Sequence, residues 1–286
     1  SVGGLTPNRK SFGPLLPGID HMPHTWSPEH MAFTKGQPEW GLHLAEDLEK
    51  ILILQDPSTV AAVIIEPVTG SGGVIVPPIG YLERIREICT KHDVLLIFDE
   101  VITAFGRLGD SFAANRFNVR PDIITMAKGL TSAVIPMSAV AFDTNIHDQL
   151  MKGPEAMIEL FHGYTYSGHP VACAAGIATL DVYQEEGLFD QAKELEPVFE
   201  EALHSLKGLS QIIDIRNIGL MGAVHFGSGD KPATEFAANV FQHCYENDVL
   251  VRYSGEFLVL SPSPVATKEH IHQITDALRK AIEANS

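Results

Sequence analysis

Residues 94–129 read VLLIFDEVITAFGRLGDSFAANRFNVRPDIITMAKG, and this stretch decides the fold. It contains two short apolar runs, 94–98 and 123–127, followed by Asp99 and by Lys128. Apolar runs without polar alternation are typical of strands that are buried on both faces of a sheet. The stretch therefore predicts two buried strands whose carboxyl ends each present a charged side chain.

Similar apolar runs lie on both sides of this stretch. Residues 61–65 form one that ends at Glu66, and residues 137–142 form another. Residues 80–92, between the runs 61–65 and 94–98, show the apolar spacing of a helix. Strands that alternate with helices favour a parallel α/β sheet.

The pattern changes after about residue 190. Residues 170–207 predict one long helix or two shorter ones, and further helices are predicted at 233–247 and 267–284. Short strands are predicted among them at 212–215, 221–226, 249–252 and 257–260. We therefore expect a large α/β domain over 1–200 and a smaller α+β domain over 201–286.

Composition excludes several classes of protein. The 286 residues are 45% hydrophobic and 20% charged, as in an ordinary globular protein. The formal net charge of −16 argues against nucleic acid as a partner, because phosphate binding needs a basic surface. Three widely spaced cysteines are no disulfide framework, and no apolar run is long enough to span a membrane. We expect a cytoplasmic setting without a membrane partner.

Glu66, Asp99 and Lys128 each follow a predicted strand directly. In open α/β sheets, ligands bind at the carboxyl ends of the strands. A lysine buried at that edge is held neutral, which is the nucleophilic form that reacts with an aldehyde. The alternative for a single lysine is a solvated side chain at the start of a loop.

Asp99 supports the interpretation of Lys128 as a nucleophile that reacts with an aldehyde. Pyridoxal phosphate withdraws electrons effectively only while its ring nitrogen is protonated, and a carboxylate beside that nitrogen holds the proton. Taken alone, Asp99 also suits a helix N-cap or a metal ligand. The pair, one residue on each of two strand ends, favours a pyridoxal phosphate site.

Several stretches resemble the signature segments of the class III aminotransferases, and most closely those of the ω-amino acid (β-alanine):pyruvate type. They are SVGGLTPNRKSFGPLLPGIDHMPHTW (1–26), IIEPVTGSGGVIVPP (64–78), LLIFDEVITAFGR (95–107), DIITMAKGLTSAVIPMSAV (122–140) and HGYTYSGHPVACAAG (162–176). The resemblance covers essentially the whole chain. It implies fold type I, with a partial large-domain parallel sheet, and pyridoxal phosphate as cofactor.

The resemblance also implies roles for residues of the strand ends. Lys128 matches the lysine that forms the imine with the cofactor and carries the proton. Asp99 matches the partner of the pyridine nitrogen, and Val101 the residue packed against one ring face. Glu66 matches a glutamate beside the site; its alternative is a strand-end carboxylate that bonds nearby backbone.

Other matches concern the substrate and a second subunit. Thr165 matches a threonine that binds cofactor phosphate from the neighbouring subunit, which implies a homodimer with shared active sites. Tyr164 is expected to contact substrate. Arg252 matches the receptor for the substrate carboxylate, and because the run 249–252 is predicted to be buried, its guanidinium needs a partner. The alternative is an exposed strand arginine.

The sequence differs from the family at its N-terminus. Members of the family have an N-terminal portion before the segment that matches residues 1–26, and this portion, which makes further cofactor contacts, has no match here. We expect a transaminase that lacks this N-terminal portion and moves an amino group from an ω-amino acid or amine to pyruvate. The chain is then a fragment of a longer protein, a truncated protein or one half of a split enzyme, and the sequence leaves these three open. One alternative is a catalytically incompetent remnant that acts as a dimerising or binding module. Another keeps the cofactor but catalyses racemisation or aminomutation, since a fold does not fix a function.

Overall fold

A computed structural model describes residues 1–155 and 160–286. Its helices are α1 (Thr6–Phe12), α2 (Pro28–Met31), α3 (Glu46–Gln55), α4 (Tyr81–Lys91), α5 (Ala113–Arg116), α6 (Thr144–Leu150), α7 (Pro170–Glu185), α8 (Leu188–His204), α9 (Ala233–Glu246) and α10 (Lys268–Asn285). Its strands are β1 (Ala62–Ile65), β2 (Leu95–Asp99), β3 (Ile123–Met126), β4 (Ala139–Phe142), β5 (Ile212–Ile218), β6 (Met221–Phe226), β7 (Arg252–Ser254) and β8 (Phe257–Leu260).

The first sheet has the strand order β1-β2-β3-β4. β1, β2 and β3 run parallel, as the sequence predicts, with Ile65 opposite Phe98 and Asp99 opposite Thr125. The prediction of a parallel sheet is wrong for β4, which runs antiparallel to β3. The chain between them forms a short 3-10 turn rather than a crossover helix, so β4 returns in the opposite direction.

Burial in this sheet is uneven. Leu96 and Phe98 of β2 are fully buried, as expected for a strand covered on both faces. Ile64 of β1 is 42% exposed and Val140 of β4 is 58% exposed, so both-face burial is wrong for these strands. Within the described residues β1 and β4 are the edges of the sheet, and edge strands lack a neighbour on one side.

The second sheet, called here the C-terminal sheet, has the order β5-β6-β8-β7 and is antiparallel throughout. Its strands lie where the sequence predicts them except β7, which begins at Arg252 rather than at residue 249. The helical stretch after residue 170 is two helices, α7 and α8, separated by Gly187 in the left-handed conformation.

Three apolar clusters form the core of the described residues. The smallest joins the loop after β2 to the turn after β3 and to α7 and α8, through Ala104, Phe105, Leu130, Tyr183 and Leu188. A second joins α8, α9 and α10 to one face of the C-terminal sheet, with Phe199, Phe226 and Phe236 fully buried. The third lies around β2 and α4 and also contains Met221 and Val259 of the C-terminal sheet. The two sheets therefore pack against each other, and the C-terminal sheet closes one side of the space beyond the parallel strands. Among the described helices, none is long and apolar enough to cross a membrane.

Candidate active site

Glu66, Asp99 and Lys128 lie at the same edge of the first sheet. Glu66 directly follows β1, Asp99 is the last residue of β2, and Lys128 lies two residues beyond the end of β3. The register makes this arrangement unavoidable, because parallel neighbours end on the same side. The structure thus brings together three ionisable side chains that are far apart in the sequence.

Asp99 is half-buried and is held through one of its carboxylate oxygens. The Val101 amide donates to Oδ1 at 3.1 Å, and the Thr125 hydroxyl donates to the same atom at 3.3 Å. No residue in the described part of the chain donates to Oδ2. Its carboxylate is therefore fixed in orientation and keeps one oxygen for a ligand.

Glu66 is half-buried beside Asp99. The Gly70 amide donates to its Oε2 at 2.9 Å, which is the strand-end backbone bond that the sequence leaves open as an alternative. Burial raises the pKa of Glu66; the Gly70 hydrogen bond opposes this rise, and the charge of Asp99 raises the pKa further. The charge of Lys128 acts in the opposite direction on the same pKa, so the two residues lie within electrostatic reach.

Lys128 begins the 3-10 turn after β3 and has a left-handed backbone with φ of 45°. A left-handed conformation is costly for a residue with a side chain, and strained residues of this kind cluster at functional sites. The expectation that this lysine is buried is wrong, because its side chain is exposed at the open end of the sheet.

The turn after Lys128 is tightly constrained. Ser132 and Ala133 also have left-handed backbones. A Cβ on Gly129 would lie 2.9 Å from Cβ of Phe105, so only glycine allows this close approach. The Tyr183 hydroxyl donates to the Gly129 carbonyl at 2.7 Å, which fastens the turn to α7.

A cavity of about 470 Å³ opens beside this turn. Lys128 and Arg252 both line it, so the two cations face one space from different sheets. Its other walls are Gly70, Ser71, Ile102, Ala104, Phe105, Arg107, Gly129, Ser132, Ala133, Tyr183, Met221, Val259, Leu260, Ser261, Ser263 and Pro264. Glu66, Asp99 and Val101 do not line this cavity.

Arg252 is the first residue of β7, at an edge of the C-terminal sheet. The prediction that it lies in a buried strand is wrong: its side chain is exposed and makes no ion pair with any described residue. The preceding Val249 and Val251 are buried, but the chain becomes exposed as it enters the edge strand. An unpaired guanidinium at a cavity mouth is free to bind an anion.

Thr165 and Tyr164 lie in an exposed stretch before α7, and Tyr164 is 80% exposed. Neither residue lines the cavity beside Lys128. Within this single chain, the structure does not bring them to the strand-end site.

Arg107 is a cavity residue that the sequence analysis does not identify. It lies in the loop after β2, where Glu100 accepts hydrogen bonds from Thr103 and from the Ala113 and Ala114 amides. The available signal is an arginine inside an otherwise apolar and glycine-rich segment, TAFGRLG. That signal does not distinguish a site residue from a surface arginine.

Comparison with protein families gives one match over nearly the whole chain. A family model described as aminotransferase class-III matches residues 1–282. An omega-aminotransferase of Caulobacter vibrioides is 51% identical over 282 residues, which are 99% of this chain and 64% of that protein. A beta-alanine–pyruvate aminotransferase of Pseudomonas aeruginosa is 46% identical over 99% of this chain and 63% of that protein. The chain thus spans less than two thirds of the length of these relatives.

Solved structures that superpose on the chain are also transaminases. An amine transaminase from an uncultivated Pseudomonas species, with pyridoxal phosphate bound, superposes with a TM-score of 0.90 at 34% identity. The match covers 100% of this chain and 66% of that one. A transaminase with L-ala superposes with a TM-score of 0.88 at 30% identity, and the match covers 98% of this chain and 68% of that one.

Proposed function

The chain belongs to the class III aminotransferases, and from that premise we propose that it contains the lysine-bearing part of a pyridoxal-phosphate-dependent transaminase that moves an amino group from an ω-amino acid or amine to pyruvate. Its α/β fold is that of fold type I. The resemblance that the sequence motifs indicate is therefore confirmed at the level of the family.

One observation supports the proposal most strongly. Asp99 and Lys128 stand at the carboxyl ends of neighbouring parallel strands, with Glu66 on the next strand. A carboxylate and an amine on adjacent strand ends can contact the ring nitrogen and the aldehyde of one pyridoxal phosphate molecule at the same time. A metal site or a simple helix cap does not need a lysine in this position.

The described residues fit pyridoxal phosphate. Oδ2 of Asp99 is free to accept a hydrogen bond from the protonated ring nitrogen, while Oδ1 accepts from the Val101 amide and the Thr125 hydroxyl. When bound, the cofactor supplies an electron-withdrawing ring that stabilises negative charge at the substrate carbon. Lys128 would bind its aldehyde and then move a proton with Nζ, and Asp99 would hold the proton on the ring nitrogen.

Arg252 would receive the carboxylate of pyruvate. It lines the same cavity as Lys128 and has no carboxylate partner in the described structure. Guanidinium binds a carboxylate through paired hydrogen bonds, which orients the keto group. Because Arg252 is exposed at an edge, its side chain can also move aside for an amine without a carboxylate.

A second subunit is part of the proposal. Thr165 and Tyr164 are exposed and away from the cavity of their own chain, as is expected if they serve the site of a partner. A threonine hydroxyl and its amide are suitable donors to phosphate. We therefore include a homodimer with shared active sites, in the cytoplasm, where its three free cysteines would remain reduced.

The test is an absorption spectrum after mixing with pyridoxal phosphate and dialysis. We expect a visible band in the unaltered chain, its loss in Lys128→Ala and its retention in Lys152→Ala, which removes an exposed lysine. Pyruvate-dependent consumption of an amine should show the same dependence on Lys128. A folded chain that yields no band, or a band that survives Lys128→Ala, would refute the proposal for this polypeptide.

A further inference from the structure

Arg107 connects the loop after β2 with the C-terminal sheet. Its Nη1 donates to the Pro262 carbonyl at 2.5 Å and to the Leu220 carbonyl at 3.3 Å. The contact is reciprocal, because the Leu220 amide donates to the Arg107 carbonyl at 2.9 Å. One residue thus binds two separate segments that follow different strands of that sheet.

The backbones at this junction touch directly. Gly219, in the turn between β5 and β6, has a left-handed φ of 54°. A Cβ there would lie 2.6 Å from Cα of Leu108 and 2.7 Å from the Arg107 carbonyl oxygen. The loop that contains Arg107 is therefore seated on this turn without intervening space.

This docking compensates the burial of the charge on Arg107. No carboxylate lies within ion-pair distance of it in residues 1–155 and 160–286. Burial lowers the pKa of its guanidinium, so the two carbonyls are the groups that compensate a desolvated cation. If the junction opens, the cation loses both acceptors together.

The junction also borders the cavity that Lys128 lines. Pro262 stands between Ser261 and Ser263, which both line the cavity, as does Arg107 itself. Residues 261–264, called here the serine wall, continue directly from β8, which pairs with the strand that contains Arg252. The serine wall and Arg252 are thus held by two paired strands, and both border the cavity that Lys128 lines.

We propose that Arg107 is a positioning residue that locks the serine wall and the β5–β6 turn against the loop after β2, and so sets the width of the cavity. It acts through the Leu220 and Pro262 carbonyls, not by contact with a substrate. The inference rests on the proposed function only where it calls this cavity the place of the reaction.

Hydrogen exchange tests the lock without any cofactor. In Arg107→Met, the amides of 219–222 should exchange roughly 10- to 100-fold faster, the range set by the loss of hydrogen bonds to a charged group. The amides that join β1 to β2 should keep their exchange rates. The matched control is Arg120→Met, which removes an arginine of the same domain whose side chain is 86% exposed.

A second variant covers failure to fold. If all amides of Arg107→Met exchange rapidly, that variant is unfolded, and Arg107→Lys is measured instead. Lysine keeps the positive charge but lacks the planar guanidinium with its several donors. Arg107→Lys should accelerate exchange at 219–222 by a smaller factor of roughly threefold to tenfold. The proposal would be overturned if the folded variant, Arg107→Met or Arg107→Lys, exchanged the amides of 219–222 at the same rate as the unaltered chain.

Kinetics separates positioning from direct binding. With pyruvate as acceptor, Arg107→Met should raise KM for pyruvate in parallel with the faster exchange at 219–222. A raised KM with unchanged exchange would assign Arg107 a direct role in anion binding and overturn the lock. If the unaltered chain gives neither a cofactor band nor activity, the proposed function fails, while the exchange rates still decide the role of Arg107.

Discussion

The Thr125 hydroxyl donates a hydrogen bond of 3.3 Å to Oδ1 of Asp99 from the neighbouring parallel strand. The two residues stand opposite each other in the register of β2 and β3. This bond orients the carboxylate so that Oδ2 is the oxygen available to a ligand. It links the sheet register directly to the proposed chemistry.

Asp99→Asn should lower kcat for amine transfer to pyruvate by roughly 100- to 1000-fold, as for loss of one preorganised electrostatic group. Asparagine can still accept from Thr125 but cannot hold a proton on a ring nitrogen by its charge. Steady-state rates measure the effect, with Asp93→Asn in an exposed loop as the control. Equal rates in the two variants would contradict the role of Asp99.

Arg252→Ala should raise KM for pyruvate by roughly 10- to 100-fold, because a charge-assisted pair of hydrogen bonds is lost. KM for an amine donor without a carboxylate should change by less than about threefold. Arg279→Ala, which removes a half-buried arginine bonded to Ser205 and away from the cavity, serves as control. A similar rise in KM for both substrates would argue for a structural role of Arg252.

Gly129→Ala should distort the 3-10 turn that begins at Lys128, since the added Cβ would lie 2.9 Å from Cβ of Phe105. We expect a loss of about 1–3 kcal/mol in the free energy of unfolding, as for an overpacked site. Urea denaturation measures it, together with the yield of the cofactor band. Gly153→Ala is the control, because that position has open space around it; an equal loss there would exclude the steric explanation.

Asp214→Asn should lower the free energy of unfolding by about 3–5 kcal/mol, because it leaves a buried guanidinium unpaired. Asp214 is fully buried, pairs with Arg216 at 2.6 Å and accepts from the Trp26 indole at 2.9 Å. Urea denaturation is again the measurement. Asp47→Asn, which removes an exposed pair with Lys50, should cost less than about 1 kcal/mol.

Glu66 should make stability depend on pH in a defined direction. Its pKa is raised in the folded chain by burial and by Asp99, so the folded state binds its proton more tightly than the unfolded state does. Its contribution to stability is therefore lost as the pH rises from the pKa of an unfolded glutamate through the raised pKa. Glu66→Gln should be more stable than the unaltered chain above this window and should lose that advantage below it. Urea denaturation at a series of pH values tests this; a constant difference would contradict it.

Much of the fold follows from local pattern. The runs that end at Asp99 and before Lys128 predict β2 and β3, and the segment motifs predict the family, because each signal lies within a few consecutive residues. The order of strands and helices then favours parallel pairing, which places strand-end residues at one edge. The roles of Glu66, Asp99, Lys128 and Arg252 remain predictions until the variants are measured.

Only the tertiary structure decided those features that depend on contacts between residues distant in the sequence. The direction of β4, the exposure of Lys128 and Arg252, and the contact of Arg107 with Leu220 and Pro262 have no local signature. Burial and partner choice are set by which surfaces the whole chain packs together. The sequence by itself therefore determined the strands and their charged ends, whereas only packing of the C-terminal sheet against the first sheet determined the cavity and its cations.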